Sequence, residues 1–299
     1  MELSWVNKLR IAAVAALGIV TIGILAWPLA APEDPMVPLR SSDLSFLGTM
    51  ALLALAFASG FAAYFLAWPH GREIGILAVP FGLTIWAARS GPMRTLTQAF
   101  EETYERQALL HSLRFEPAYW LAVVAAGFAG VLLAQYLRPS SVRTAGQTVR
   151  ASYRHTGTYI GIVAALAVAV LVSHFSLGVF VQDLSVTPYN VVTPQPEVAQ
   201  IIFAVVAAFA VAGFVVKKFL GMSYIWPSLA TMFVIAFSET TYYGSATVKQ
   251  FAETFPATFF PHGVFAVTPL QLAALGALGS VVGFWLAVRY DHWRKHGSV

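Results

Sequence analysis

Eight separate apolar stretches limit what this chain can become. They run over residues 11–30, 46–67, 74–89, 118–136, 157–181, 199–216, 223–238 and 270–288. Most approach the ~20 residues that a helix needs to cross ~30 Å of hydrocarbon. Inside a bilayer every backbone N–H and C=O must find a partner within the protein, so only helices and closed barrels span it. The stretches are continuous and show no alternating period, which argues against the ~10-residue segments of a transmembrane barrel. Composition agrees: 58% of residues are apolar and 11% charged, with a mean hydropathy of +0.69, whereas a soluble domain is about a quarter charged. The expected fold is an all-α integral membrane protein of eight transmembrane helices, with the third and seventh at the short end of the range.

The first stretch follows Lys8 and Arg10 and ends near "WPLAAPED", which gives it the outline of a signal peptide. A cut after Ala30 or Ala31 would place Pro28 or Leu29 where small residues are required. It reads as a retained helix.

Orientation comes from the basic residues. With eight crossings, one side holds both termini, the 68–73 turn, the 137–156 connector and the Lys217–Lys218 pair, and with them 12 of the 18 Lys and Arg residues but only three of the 14 acids. Basic flanks stay in the cytoplasm, so both termini are expected there. The positive balance thus describes topology and attraction to anionic lipid, and nucleic acid is not needed to explain it. No cysteine is present, which removes disulfides and thiol chemistry. Abundant Ala, Val and Gly with short loops point to a bacterial inner membrane.

An internal echo organises the eight stretches. "TLTQAFEETY" at 95–104 returns as "TVKQFAETF" at 247–255, and the same alignment brings Pro117 onto Pro269, each opening an apolar stretch. Upstream, "VPFGLTIWAARS" matches the pattern of "WPSLATMFVIAFS", with Pro80 and Pro227 early in a short helix. Residues 1–137 and 157–299 therefore read as two four-helix repeats joined by a basic cytoplasmic connector, 138–156. An even number of crossings per repeat makes the copies parallel, a plan found in transporters and in duplicated folds generally.

Between the third and fourth stretches, and again between the seventh and eighth, lie amphipathic segments expected to rest on the outer membrane surface. Phe100 and Tyr104 in the first, and Phe251 and Phe255 in the second, are candidate outer-surface contacts. Arg89 and Glu239 close the third and seventh helices and are a candidate pair across the repeat interface. In the connector, Arg138, Arg143, Arg150 and Arg154 are candidate contacts for anionic lipid. Small residues four apart, such as Ala56 and Gly60, Ala126 and Gly130, Ala208 and Ala212, and Gly279 and Gly283, permit close helix packing.

Reactive chemistry is not indicated. No nucleophile triad, phosphate loop or dinucleotide fingerprint stands in the required context, no cofactor is implied, and the chain does not read as an enzyme. His292 and His296, four apart, read as a solvated tail. His174 is expected to be satisfied by a backbone carbonyl or by Ser173. The helices hold almost no charge between the interfaces, unlike ion-coupled pumps. Two function classes remain. The first is a non-catalytic membrane protein acting through assembly, as a homo-oligomer or as an accessory subunit of a larger complex. The second is a channel or transporter for a small uncharged solute, with a site between the third and seventh helices. In both, the partners include membrane lipids, with anionic lipid on the cytoplasmic side.

The absence of cysteine makes the topology directly testable. A single cysteine placed at 140–150 should react with an impermeant maleimide only after the cytoplasmic face is opened; labelling in intact cells would overturn the map.

Overall fold

The computed structural model describes residues 5–31, 38–91, 93, 112–113, 115–139, 155–181, 185–186, 192–193, 196–243 and 263–296. In chain order these form α1 (Trp5–Gly18), a π-helical continuation (Ile19–Leu25), α2 (Trp27–Ala30), α3 (Phe46–Leu66), α4 (Gly71–Gly75), α5 (Ala78–Arg89), α6 (Glu116–Leu137), α7 (His155–Phe180), α8 (Val198–Leu220), α9 (Ile225–Tyr243) and α10 (Pro269–His296). The described strands are two short ones, β1 (Ser185–Val186) and β2 (Val192–Thr193), paired antiparallel between α7 and α8.

All eight apolar stretches are helical, but among the described residues six helices are long and apolar enough to cross a membrane: Trp5–Leu25, Phe46–Leu66, Glu116–Leu137, Tyr159–Phe180, Val198–Leu220 and Pro269–Arg294. The third and seventh fall short. α5 has 12 residues, roughly 18 Å of helix at 1.5 Å per residue, and the apolar part of α9 is Ile225–Ser238.

Proline sets both starts. A helix through Ile76 would bring its carbonyl against the Pro80 ring, so the third stretch divides into α4 and α5 at Ile76–Leu77. Pro80 and Pro227 are each the third residue of their helix, where the missing N–H has no intrahelical acceptor to lose. Other ends are capped locally. Ser45 Oγ accepts the Gly48 N–H at 3.0 Å to open α3, while Gly221, at φ 67°, ends α8 with N–H bonds from Gly221 to Lys217 O and from Met222 to Val216 O. Only glycine takes that left-handed backbone readily.

Close packing concentrates on α3 against α6 and α8 against α10. A methyl group on Gly60 or Gly130 would fall below 3.0 Å from Gly127 O or Phe57 O, and one on Gly213 or Gly283 would do the same to Ser280 O or Ala210 O. The second set stands at a constant displacement of 153 residues from the first (57 to 210, 60 to 213, 127 to 280, 130 to 283). The two helix pairs touch in the same pattern through bare backbone, one residue out of step with the displacement of 152 that places Pro117 on Pro269.

α10 is the central element. Of its apolar window 72% is buried, against 22 to 39% in the other five. Leu272 and Leu275 join the core formed with α7, α8 and α9, and Leu270, Ala273 and Ala274 join the one around Leu83, Trp86 and Trp120. Leu278 and Val281 join the one around Val14, Ala63 and Tyr64. One helix thus adds buried side chains to three separate clusters. It also stands between the third and seventh stretches, because α5 and α9 each pack against it.

The glycine contacts set a measurable expectation. Gly130→Ala and Gly283→Ala should each lower stability by about 1 to 3 kcal/mol, the usual range for overpacking, seen as a fall in the thermal midpoint in detergent. Gly161→Ala has the same gain in helix propensity but meets only Met222 Cε at 3.5 Å, so it should be neutral or stabilising. Equal behaviour of all three would refute the close approach.

Candidate functional site

The polar groups of the helices gather at two ends of the bundle. At the Lys/Arg-rich end, Tyr64 OH donates to Arg138 O at 2.6 Å, and the Arg138 guanidinium stands 4.6 Å above the Trp68 ring. Lys218 pairs with Asp291 and lies 4.4 Å over Tyr290, while Lys217 lies 5.1 Å over Phe284. Tyr224, in the short link between α8 and α9, packs edge-on to Phe284. Burial pushes its phenol up to about 12; Arg72 pulls it back and Glu73 adds to the rise. Tyr224 also packs against the cluster that contains Ile74 of α4, Tyr64 and Val281, so apolar contact brings the two parts of the chain together at that end.

The opposite end is richer. Leu39 N–H donates to Ser90 Oγ at 2.9 Å, and the N–H and hydroxyl of Ser41 donate to Glu116 Oε1 at 2.8 and 3.1 Å. Residues 38–44 therefore form a strap tying the end of α5 to the start of α6. Beneath it, aromatic rings meet edge-to-face in sequence: Trp27 with Trp86, Trp86 with Trp120, and Tyr119 with Trp120, at centroid distances of 5.9, 6.2 and 4.9 Å.

α10 starts at this same end. Thr268 and Gln271 form a capping box: Gln271 Oε1 accepts the Thr268 N–H at 2.9 Å, and Thr268 Oγ1 accepts the Gln271 N–H at 3.3 Å. The free Gln271 amide then donates to Ala87 O, near the end of α5, at 3.2 Å. Gln271 is 1% exposed, so one side chain caps its own helix and ties the second half to the first.

Within the helices, Ser59 Oγ donates to Thr21 Oγ1, which donates to Leu17 O, both at 2.8 Å. The bond from Ala26 N–H to Thr21 O at 3.1 Å carries the widened π turn. His174 Nδ1 meets Ser238 Oγ at 3.0 Å. This corrects the expected Ser173 partner, whose Oγ makes no hydrogen bond: α9 packs on α7 and brings Ser238 to the ring, whereas Ser173 lies beside His174 on its own helix and, in a helix, faces another way.

The sequence-derived sites divide. Arg89 is exposed at the end of α5 with its guanidinium 5.1 Å above the Trp27 ring, so its described contact is aromatic. The Glu239 side chain lies outside the described residues. Arg138 is exposed at the Lys/Arg-rich end; Arg143, Arg150 and Arg154 lie outside the described residues. So do Phe100, Tyr104, Phe251 and Phe255, and the segments 95–113 and 247–260 apart from Ser112 and the buried Leu113. Among the described residues, no three His, Asp or Glu side chains gather as metal ligands.

Gln271 was legible but missed. Thr-Pro-Leu-Gln, with Pro in the first turn, is a helix-start signature. Comparison with known proteins gives no match to a protein-family model, a curated protein or a solved structure.

Gln271→Leu should lower stability by about 1 to 3 kcal/mol, because it strands the Thr268 N–H and the Ala87 carbonyl in a buried place. Thr268→Val, which removes one cap acceptor only, should lower it less. Thermal unfolding in detergent measures both, and an unchanged midpoint for Gln271→Leu would remove Gln271 as a tie between the halves.

Proposed function

We propose that the chain is a non-catalytic membrane protein of eight crossings, built as two parallel four-helix repeats with both termini in the cytoplasm. It acts through assembly, either with copies of itself or as an accessory subunit of a larger complex in a bacterial inner membrane. The observation that carries this reading is the use made of the buried polar groups. Gln271 ties α10 to α5, Ser59 ties α3 to the π segment, and Ser238 ties α9 to α7. Ser280 bonds back to Gly276 O within α10. Side chains that could have served a reaction or a solute are engaged in holding helices together. The matched glycine contacts, displaced by 153 residues, support the repeat. Arg138 over Trp68, with its carbonyl fixed by Tyr64, supports a contact with anionic lipid at the cytoplasmic surface.

The solute pathway keeps one specific observation in its favour. The third crossing is broken into α4 and α5 and lies against the π segment of the first, Gly18 meeting Ala78 and Gly82 meeting Ile22. Interrupted helices and π turns recur at membrane binding sites. The expected site between the third and seventh helices would then have to be shared with α10, which stands against both.

Native mass spectrometry after gentle extraction decides between the two. Assembly predicts a fixed stoichiometry, as an oligomer or with another polypeptide in constant ratio, that persists on dilution. A lone monomer that raises the permeability of proteoliposomes to a small neutral solute would overturn the assembly reading in favour of the pathway.

A further inference from the structure

The seam between α8 and α10 ends in charge that these two helices do not balance. Gly283 brings α10 against Ala210 O and Phe214 N, and from there the seam continues as a run of rings. Phe214 meets Tyr290 edge-on at 6.0 Å between centroids, and Tyr290 meets Trp293 at 6.4 Å. Lys218 Nζ lies 4.4 Å over the Tyr290 ring and bonds to Asp291. This lysine of α8 is therefore held on α10 by a ring and a carboxylate together.

Lysines in the last turn of a helix offset its negative end, which accounts for Lys217 and Lys218. It does not account for Arg289, which is exposed about two turns before the end of α10. Over residues 217–220 and 289–294, four Lys and Arg stand with a single acid, Asp291. An ammonium has three hydrogens; Lys218 gives one to Asp291, and Arg289, the chain neighbour of Tyr290, adds a second positive charge at the same level of the helix.

Towards the middle of α10 the same strip becomes apolar. Val282, Leu286, Arg289, Tyr290 and Trp293 recur at helical spacing and are all exposed, so they share one face. About one turn, roughly 5 Å, separates Leu286 from the level of Arg289 and Tyr290. On α8 the exposed Val211 stands two turns before Lys218, again on one face. Hydrocarbon surface, then cations, then a tryptophan is the order a phospholipid presents from chain to headgroup. Charge selects the headgroup. A zwitterionic one would bring its own ammonium into a positive surplus, and the Tyr290 ring, a natural seat for such an ammonium, already carries Lys218. An anionic phospholipid brings the missing negative charge.

We propose that the seam of α8 and α10 binds one anionic phospholipid, with its phosphate on Lys218 in the field of Arg289 and an acyl chain along Val211 and Leu286. This site is separate from Arg138, whose ring partner is Trp68. The inference rests on insertion of the chain in a membrane and holds whether or not the chain assembles.

Native mass spectrometry of the full chain, released from nanodiscs holding phosphatidylglycerol and phosphatidylcholine in equal amounts, tests it. One phosphatidylglycerol per chain should remain, in excess over phosphatidylcholine. Arg289→Gln should lower that retention about fivefold, the value of one basic residue beside an anionic headgroup, whereas Arg89→Gln at the opposite end should leave it unchanged. Lys218→Gln combined with Asp291→Asn keeps the net charge and should lose the lipid as well; if that variant fails to fold, the comparison of Arg289→Gln with Arg89→Gln decides. Equal retention of both lipids, unchanged retention in Arg289→Gln, or an equal loss in Arg89→Gln overturns the proposal. Inorganic phosphate added in detergent should not raise the thermal midpoint; a rise matching that with phosphatidylglycerol would mark an ion site and overturn the lipid as occupant. The same spectra give the protein's own stoichiometry, so failure of the lipid site and failure of assembly are seen separately.

Discussion

Backbone meets backbone where α3 crosses α6 and where α8 crosses α10, and much of the bundle follows from those two crossings. Between apolar helices in lipid the hydrophobic effect gives little drive to associate, so contact depends on surfaces that fit closely. Gly60 and Gly130 let α3 and α6 approach until carbonyl oxygens lie where methyl groups would be, and Gly213 and Gly283 do the same for α8 and α10. Each crossing produces a stiff pair. The remaining helices pack around the pairs: α1 and α5 beside the first, α7 and α9 beside the second.

What joins the pairs is different in kind. α10 belongs to the second pair, yet its Leu270, Ala273 and Ala274 lie in the core of the first half, and Gln271 reaches Ala87 O. A buried amide that found no acceptor would be strongly unfavourable, so the register between the halves is set by a polar contact while their cohesion is apolar. At the other end Tyr224 packs against the cluster around Tyr64 and Ile74, which adds apolar cohesion there. The halves are thus fixed at both ends of α10 and meet along its length.

The helices were legible because hydrocarbon forces the backbone to satisfy itself locally, and that demand writes long apolar runs into the sequence. The prolines were legible for the same reason: Pro80, Pro117, Pro227 and Pro269 all stand in first turns, as the loss of a donor requires. The division of the third stretch into α4 and α5 was less visible, although the reach of the Pro80 ring to residue 76 carries it. What pattern could not reveal was which polar residues would meet. Ser238 finds His174 only once α9 packs on α7, and Arg89 rests over Trp27, which lies 62 positions away in the chain. Such pairings depend on helix rotation, which the apolar pattern of an Ala-rich helix leaves loosely specified.

The alignment that places Pro117 on Pro269 also places Glu116 on Thr268 and Tyr119 on Gln271, and the two helix starts use these positions differently. In the first, Glu116 does not cap its own helix; it accepts from Ser41, and Tyr119 OH donates to Thr49 Oγ1 on α3 at 3.1 Å. Both contacts remain within the first half. In the second, Thr268 and Gln271 cap α10 between them, which leaves the Gln271 amide hydrogens directed at α5. A symmetric pair of capping boxes would leave no reason for one start to bind a strap and the other to bind a neighbouring half. The difference at this one turn leaves the start of α6 held by the strap and the start of α10 joined to α5 through Gln271.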